Sequence, residues 1–336
     1  MNAPSPLQLH TSPVRTGEKL RGELVLGETT HGLSQAVRVT IRARGQLDYD
    51  DTETKQREEL SGGPGATVHP PFKGEGRIPF ELSLARDLPP SYQGKDVQIA
   101  WELIATLHSA DGKELTRWSQ PIQLEPGRTA HPPPRLEPST PRGSSLTATS
   151  TWGCLLFPLL GCFSIPLCML SGNMRDVSEN PAHGRIAGII YGVVSVIAGV
   201  VITWWILGKA RTVSKFKAAA LKPLAERFPL GSTARLRAFV DLTTPLTVRK
   251  ARLELTAYEM LSKRRTVGPV PVDVPVHLAA GPHQFDVEIP IPRDFTPTFK
   301  THLKAHCTLT LELEGLDDMV LHNPLEVAPE VLEAEA

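Results

Sequence analysis

A twelve-residue phrase that occurs twice is the feature that most constrains the fold of this chain. "FELSLARDLPPS" at residues 80–91 matches "VEIPIPRDFTPT" at residues 287–298, which lies 207 positions downstream. Four pairs of residues are identical in the two copies, namely Glu81 and Glu288, Arg86 and Arg293, Asp87 and Asp294, and Pro90 and Pro297. A repeated phrase predicts two copies of one structural unit, and 336 residues are enough for two domains.

Alternating apolar and polar residues surround both copies. In the first half Val37, Val39, Ile41 and Ala43 alternate with polar residues, and so do the apolar residues from Val97 to Leu107. The second half repeats this pattern at Ala251, Leu253, Leu255 and Ala257 and at Cys307, Leu309, Leu311 and Leu313; "LRGELVL" at 20–26 also matches "LRAFVDL" at 236–242. A period of two predicts strands with one face on a core. We therefore predict an all-β fold with two immunoglobulin-like antiparallel β-sandwich domains.

The repeated phrase itself predicts a strand followed by a corner. Phe80, Leu82 and Leu84 are expected to point into the core, as are Val287, Ile289 and Ile291 in the second copy. The proline that follows has no N–H to donate, so strand pairing stops there. Asp87 and Asp294 can accept local backbone hydrogen bonds at the corner. We interpret Arg86, Asp87, Pro90, Arg293, Asp294 and Pro297 as structural corner residues.

Two apolar runs without charged residues, 152–170 and 186–207, separate the copies. At about 1.5 Å per helical residue they extend roughly 28 and 33 Å, enough to cross a bilayer. We predict two transmembrane helices, at 151–171 and 186–208. The first run contains Pro158 and Pro166, which would kink a helix, and a re-entrant or interfacial hairpin is its alternative.

The charges that flank these runs predict their topology. Eight basic residues flank the pair of runs, whereas the connecting loop 172–185 contains two. The positive-inside rule therefore predicts a two-pass integral membrane protein with both termini in the cytoplasm. The residues expected to anchor it at the membrane interface are Trp152, Trp204, Trp205, Lys209, Arg211, Lys215 and Lys217. The first twenty residues have no apolar stretch, which predicts that no cleavable signal peptide is present.

Small residues recur along one face of the second predicted span. Gly188, Gly192, Ser195 and Gly199 are spaced by four, three and four positions, so one helix face carries them all. This face allows close packing against the first span, or a homodimer through the second span. The basic segment that follows is expected either to bind anionic headgroups or to be a solvated charge cluster.

These patterns divide the chain into consecutive segments. The predicted order is a β-sandwich at 1–125, a Pro/Ser-rich linker at 126–150, transmembrane helices at 151–171 and 186–208 joined by the extracytoplasmic loop 172–185, a basic juxtamembrane segment at 209–227, a β-sandwich at 228–328 and an acidic tail at 329–336. Residues 50–76 are charged and then rich in glycine, which predicts a mobile loop.

The residues of the two halves resemble the arrestin-like family. The resemblance rests on "RIPFELSLARDLPPSYQGKDVQIAWELIATL" at 77–107, on "TGEKLRGELVL" and "VRVTIRARG" before it, and on a more diverged copy at 228–327. It implies an N-type and a C-type β-sandwich lobe side by side in a scaffold or adaptor that binds other proteins. The chain departs from the family by carrying a membrane hairpin between the lobes, and no binding residues are transferred.

Composition and motifs argue against several other functions. The 36 basic residues equal the 36 acidic ones, which gives no support for nucleic-acid binding. His302, His306 and Cys307 have a spacing that holds zinc only on a helix, and here the sequence predicts a strand. No phosphate-binding glycine loop or nucleophile elbow occurs. We therefore expect no catalytic residues, no metal and no cofactor.

The sequence thus predicts a membrane-anchored, non-catalytic scaffold that binds protein partners at the cytoplasmic face of the membrane. The alternative is a signalling or stress-response component whose hairpin senses the bilayer or a membrane partner. The expected partners are proteins and the lipid bilayer, and the use of arginine, alanine and proline suggests a bacterial inner membrane.

Overall fold

Two β-sandwich lobes with the same strand order make up most of the described chain. The computed structural model describes residues 6–26, 36–51, 54–69, 76–138, 193–194, 197, 199–201, 204, 207–260 and 262–333. We call residues 6–125 the N-lobe and residues 216–333 the C-lobe. The all-β prediction is confirmed for both lobes.

The N-lobe is built from eleven strands, and a twelfth follows it. They are β1 (Leu7–Leu9), β2 (Val14–Arg15), β3 (Lys19–Val25), β4 (Ala36–Asp51), β5 (Thr54–Ser61), β6 (Ala66–Val68), β7 (Arg77–Ser83), β8 (Tyr92–Gln93), β9 (Val97–Ser109), β10 (Glu114–Ile122), β11 (Leu124–Glu125) and β12 (Gly127–Thr129).

The C-lobe contains the remaining ten strands. They are β13 (Phe216–Pro223), β14 (Phe228–Leu230), β15 (Thr233–Leu242), β16 (Leu246–Glu259), β17 (Ser262–Pro271), β18 (His277–Leu278), β19 (Gly281–Pro290), β20 (Leu303–Leu313), β21 (Met319–Leu325) and β22 (Val327–Leu332).

The sheets of the two lobes correspond strand by strand. A three-stranded sheet with the order β1-β3-β7 in the N-lobe matches β13-β15-β19 in the C-lobe. A larger sheet with the order β10-β9-β4-β5 matches β21-β20-β16-β17. In each lobe the apolar faces of these two sheets enclose one core. The duplication that the repeated phrase predicts therefore extends to the whole topology.

Strand pairing corrects the alignment of one sequence match. Leu20 lies opposite Leu82, and Ala234 lies opposite Ile289, which is the repeat partner of Leu82. Leu20 therefore corresponds to Ala234, whereas the match of "LRGELVL" with "LRAFVDL" paired it with Leu236. A shift of two residues keeps the same face toward the core, so period-two patterns cannot detect it.

Burial confirms nearly all of the predicted inward positions. Leu82, Leu84, Ile289 and Ile291 are buried, together with the alternating apolar residues of β9, β16 and β20. Val37 is the exception, because it is 39% exposed. The pairing of β4 with β9 shifts between Ala36 and Arg38, and this irregularity displaces Val37 from the alternation.

The two repeated phrases form equivalent corners. Each phrase runs from a strand, β7 or β19, into a turn at 86–87 or 293–294. The backbone N–H of Leu124 donates to the Ser91 hydroxyl at 2.9 Å, and that of Val327 donates to the Thr298 hydroxyl at 3.1 Å. Ser91 and Thr298 are the last residues of the two phrases. The last residue of each repeated phrase thus binds the first residue of the final strand of its lobe, which is β11 in the N-lobe and β22 in the C-lobe.

Several segment boundaries differ from those predicted. Residues 54–61 and 66–68, expected in a mobile loop, form β5 and β6, which pair with β4. The C-lobe begins with β13, inside the segment expected to be juxtamembrane, because Ala219 and Leu221 of this strand enter the core. Residues 329–332 of the predicted acidic tail belong to β22.

Candidate functional site

An apolar helix leads directly into the C-lobe. The described residues at 193–194, 197, 199–201, 204 and 207–213 are helical. Seven described residues of this helix are large, apolar and 53–79% exposed, namely Val193, Val194, Ile197, Val200, Val201, Trp204 and Leu207. At 3.6 residues per turn they occupy one face about 140° wide. This continuous apolar face, which we call the apolar helix face, has no protein covering it among the described residues.

The end of this helix is bound to the C-lobe. Thr212 is buried, and its hydroxyl accepts a hydrogen bond from the backbone N–H of Asp317 at 3.1 Å. The carboxylate of Asp317 lies 4.0 Å from the Lys209 ammonium. After a turn at 214–215 the chain enters β13. The helix therefore joins the C-lobe through a short, hydrogen-bonded connection.

The predicted interface anchors separate into three groups. Trp204 is 79% exposed on the apolar helix face, and Lys209 and Arg211 follow it near the helix end. Lys217 belongs to β13, and Lys215 precedes it, so neither continues the helix as a basic segment. Trp152 and Trp205 lie outside the described residues.

One of the four residues of the predicted packing face belongs to the described part of the helix. Gly188, Gly192 and Ser195 lie outside the described residues, and Gly199 is buried. Both predicted spans lie largely outside the described residues as well. Within the residues that the structure does describe, no helix is both long enough and apolar enough to cross a bilayer.

A buried carboxylate joins the two lobes. Glu259 ends β16 of the C-lobe, and its side chain is fully buried. It accepts hydrogen bonds from three consecutive backbone N–H groups of the N-lobe, with Lys95 at 3.3 Å, Asp96 at 2.6 Å and Val97 closer still. The guanidinium of Arg264 forms an ion pair with the same carboxylate. We call this arrangement the lobe latch.

The surroundings of the lobe latch leave little free space. A Cβ atom at Gly94 would collide with the Glu259 carboxylate, so this position accepts only glycine without rearrangement. Burial raises the pKa of Tyr92, and the negative charge of Glu259 raises it further. Tyr92 therefore stays neutral at physiological pH.

Apolar contacts surround the lobe latch. Leu303 of the C-lobe is buried within the N-lobe core cluster, and Met260 and Phe299 pack against that cluster. The His302 ring packs against the Tyr49 ring in a tilted arrangement, with a centroid distance of 4.2 Å and an angle of 38° between the ring planes. Together these residues close an apolar seam between the lobes.

Equivalent strands of the two lobes also pair with each other. β12 pairs in parallel with β22, placing Gly127 opposite Glu330 and Thr129 opposite Leu332. Leu124 and Val327 are equivalent positions, because Ser91 and Thr298 bind them in the same way. Gly127 follows Leu124 by three residues, and Glu330 follows Val327 by three residues. Corresponding residues of the two lobes therefore face one another where β12 pairs with β22.

The start of the predicted linker is bound to the C-lobe. Arg237 donates to both carboxylate oxygens of Asp286, at 2.6 and 3.0 Å, and to Glu137 of the linker at 2.9 Å. Arg135 donates to the same Asp286 at 3.3 Å, and the backbone N–H of Leu136 donates to Leu224 at 2.7 Å. The hydrogen bonds from Arg237 hold the pKa of Asp286 below its usual value. The described start of the predicted Pro/Ser-rich linker is thus attached to the C-lobe through Arg135, Leu136 and Glu137.

A cleft of about 690 Å³ opens beside the junction of the lobes. Its lining combines the apolar side chains of Phe299, Leu303 and Leu325 with Lys304 and with Asp87 from the first corner. An apolar floor bordered by both signs of charge suits a protein segment better than it suits a reaction centre.

The structure accounts for the remaining sequence candidates by packing. The guanidinium of Arg265 donates to the backbone carbonyl of Asp294 at 2.8 Å and to its carboxylate at 3.0 Å, so this carboxylate is bound by a side chain of β17. His306 packs edge-on against Tyr258 rather than beside His302, and burial lowers the His306 pKa. The described residues contain no group of three His, Cys, Asp or Glu side chains suited to a metal ion.

Sequence reasoning missed Glu259 and the apolar seam. Glu259 continues the inward row of Ala251, Leu253, Leu255 and Ala257 in β16, so the period of two places a carboxylate on the core face. That inward position is one signal that could have found Glu259, and the basic run of Lys263, Arg264 and Arg265 that follows it is another.

The fold and the junction define a two-lobed β-sandwich protein with an apolar helix attached to its second lobe. No protein-family model matches the chain, and no curated protein matches it. Among solved structures it is similar to Spo0M, a sporulation control protein from Bacillus subtilis, with 17% identity and a TM-score of 0.29. The similar region covers 33% of this chain and 49% of that protein, so the chain spans about half of its length. A likeness of this size assigns neither a family nor a function.

Proposed function

We propose that this protein is a non-catalytic, arrestin-like scaffold, anchored by its apolar hairpin at the cytoplasmic face of a membrane, where its lobes bind protein partners. The observation that carries this proposal is the apolar helix face, which continues through hydrogen-bonded contacts into the C-lobe. The arrestin-like part rests on the repeated corner phrase and on the matching topology of the two lobes.

The exposed side chains of the helix favour burial outside this chain. Soluble proteins rarely expose contiguous apolar patches beyond a few hundred Å². Here seven large apolar side chains share one face, and no charged residue occurs from 186 to 207. A bilayer would cover this face, and Trp204, five residues before Lys209, has the character of an interface residue.

The scaffold role is supported by the fixed arrangement of the lobes and by their open strand edges. The lobe latch, the apolar seam and the pairing of β12 with β22 hold two sandwiches together. β17 borders the larger C-lobe sheet and pairs only with β16 among the described strands. An extended peptide can add to such an edge through backbone hydrogen bonds.

Vesicle flotation tests the membrane part of the proposal. The full-length protein is expected to float with vesicles of phosphatidylethanolamine and phosphatidylglycerol, and to resist extraction with high salt. A variant carrying both Ile197→Glu and Val200→Glu should lose flotation, since it places two charges on the apolar helix face. Val276→Glu is the matched control, because Val276 is 57% exposed but lies in the C-lobe. A wild-type protein that stays in the aqueous fraction without detergent refutes the membrane anchor.

Crosslinking in the native membrane, followed by purification and mass spectrometry, tests the scaffold part. Partners that are captured by the full-length protein and lost when residues 1–125 are deleted support a scaffold. Capture that is unchanged by removal of each lobe in turn contradicts it.

The attachment of the helix to the C-lobe favours a second candidate function. Thr212 and Asp317 connect the helix to the C-lobe, and Glu259 connects the C-lobe to the N-lobe. A displacement of the helix would therefore reach both lobes, as a signalling component that senses the bilayer or a membrane partner requires. Partners retained by residues 139–213 alone would favour this function over the scaffold.

A further inference from the structure

The outer face of the N-lobe has a polar cavity that contains two arginines with no ion pair to any residue that the structure describes. The cavity has a volume of about 620 Å³ and lies over β4, between the β5–β6 connection and the end of β9. Arg38, Thr40, Arg42 and Arg44 all line it. They occupy alternate positions of one strand, so their side chains leave the sheet on the same face.

The three arginines differ in their partners. The guanidinium of Arg44 lies 2.9 Å from Glu59 and 3.9 Å from Glu102. Arg38 and Arg42 form no ion pair with any described residue. The Nε atom of Arg38 is buried and has no hydrogen-bond acceptor. A buried donor without an acceptor is rare in folded proteins, and a site that binds a ligand is one place where it occurs.

Thr40 and His108 leave a further donor unused. The Thr40 hydroxyl and the His108 Nε2 atom are hydrogen-bonded at 2.9 Å, and His108 Nδ1 is buried without a partner. If the hydroxyl donates to Nε2, the Nδ1–H has no acceptor. If Nε2–H donates instead, Nδ1 is an acceptor, and the hydroxyl proton has no acceptor among the described residues. In either neutral tautomer this pair therefore keeps one donor, Nδ1–H or the Thr40 hydroxyl, that no described residue accepts.

The outward arginines on the equivalent strand of the C-lobe have acidic partners. β16 corresponds to β4, and its outward Arg252 forms an ion pair with Glu312 of the neighbouring strand. Two carboxylates line the N-lobe cavity, and one of them, Glu59, is paired with Arg44. The other is Glu114, which lies beside His108 on the neighbouring strand, as Arg38 does on the other side, and forms no ion pair with Arg38. The excess positive charge is thus concentrated between Arg38 and Arg42.

We propose that this cavity binds a tetrahedral oxyanion of the phosphate class, held by Arg38 and Arg42 above Thr40. The Cα atoms of the two arginines are about 13 Å apart along the strand, a separation that two arginine side chains lining one cavity can span from opposite ends. Guanidinium groups donate parallel hydrogen bonds to such anions, and the unused donor of the Thr40–His108 pair supplies a third direction. The proposal is independent of the membrane anchor.

Isothermal titration of the purified full-length protein with inorganic phosphate, at constant ionic strength set with chloride, tests this site. The wild type is expected to show saturable binding. Arg42→Gln should weaken it about tenfold or more, which is the loss of one charge-assisted hydrogen bond. Arg42 is exposed, so this variant should fold normally. Glu114→Gln should strengthen binding, because it removes the lining carboxylate that repels the anion.

The control is Arg252→Gln in the C-lobe, which should bind phosphate as the wild type does. A parallel titration with glycerol 3-phosphate asks whether a phosphate monoester, such as a lipid headgroup presents, also fits. Tighter binding of the ester assigns the site to a headgroup or metabolite, and tighter binding of phosphate assigns it to the free anion. Equal binding by the wild type and Arg42→Gln, or no saturable binding of either anion, would overturn the proposal.

Discussion

The Oε1 atom of Glu259 in the C-lobe accepts a hydrogen bond from the backbone N–H of Asp96 in the N-lobe at 2.6 Å. The two residues are 163 positions apart. Because the carboxylate is fully buried, it depends on three backbone donors and on Arg264 to replace its hydration. A single side chain thus couples the two halves of a duplicated chain.

Replacing Glu259 should lower the stability of the folded protein, because it breaks the buried contact between the two lobes. Glu259→Gln keeps the size of the side chain but leaves the guanidinium of Arg264 without a counter-ion and turns an amide NH₂ toward backbone donors. We expect the free energy of unfolding to fall by about 3–5 kcal/mol, as for other buried ion pairs that lose one partner. Urea denaturation followed by circular dichroism measures this change. Glu254→Gln on the same strand should unfold like the wild type, and an unchanged midpoint for Glu259→Gln would contradict the lobe latch.

The repeated hydroxyl should matter equally in both lobes. Ser91→Ala and Thr298→Val each leave a backbone N–H, that of Leu124 or Val327, without its acceptor. Each change is expected to cost about 1–3 kcal/mol of stability, which thermal unfolding can measure. Thr310→Val, at an outward position of β20, is the control. A clear loss in one lobe with none in the other would show that the two corners are not equivalent.

The linker should be released when Asp286 loses its charge. Asp286→Asn removes the carboxylate that Arg237 and Arg135 share, so trypsin should cleave after Arg135 several-fold faster than in the wild type. Mass spectrometry of the early fragments measures the rate. Glu288→Gln is the matched control, because Glu288 forms an exposed ion pair with Arg235 between the same two strands. Equal cleavage of the wild type and Asp286→Asn would mean that the ion pairs do not hold the linker.

Cys307 should be unreactive in the folded protein. Burial raises the pKa of its thiol from 9.0 to about 12, so almost no thiolate is present at pH 8. Iodoacetamide at pH 8 should therefore modify Cys307 only after unfolding, and peptide mapping distinguishes it from the other cysteines. Rapid modification under native conditions would show that β20 opens readily.

The same pKa shift has a defined effect on stability. The folded state keeps its proton while the unfolded state begins to lose it near pH 9, so this contribution is complete below pH 9 and declines as the pH rises toward 12. A Cys307→Ser variant should lack this decline, which urea titrations at pH 8 and pH 10 can compare.

The sequence predicted the strands well where one face is buried and the other is solvated. The alternation from Val97 to Leu107 placed all six of its apolar residues in the core. It failed to predict that Ile104, on the opposite face of the same strand, is also buried, with 1% exposure. Ile104 lies between Arg42 of β4 and Ser119 of β10, and the first of these neighbours is distant in sequence.

The repeated phrase determined the duplication, and the sequence alone was sufficient for that conclusion. A strand followed by a proline-containing corner is a local structure, since its apolar alternation and its missing N–H act within a few residues. Tertiary structure decided how the copies correspond and how they meet. The two-residue offset between Leu20 and Ala234, the pairing of β12 with β22 and the burial of Glu259 each depend on contacts between distant segments. A side chain's pattern in sequence reports which way it points, whereas the element that covers it is determined only when the two lobes pack together.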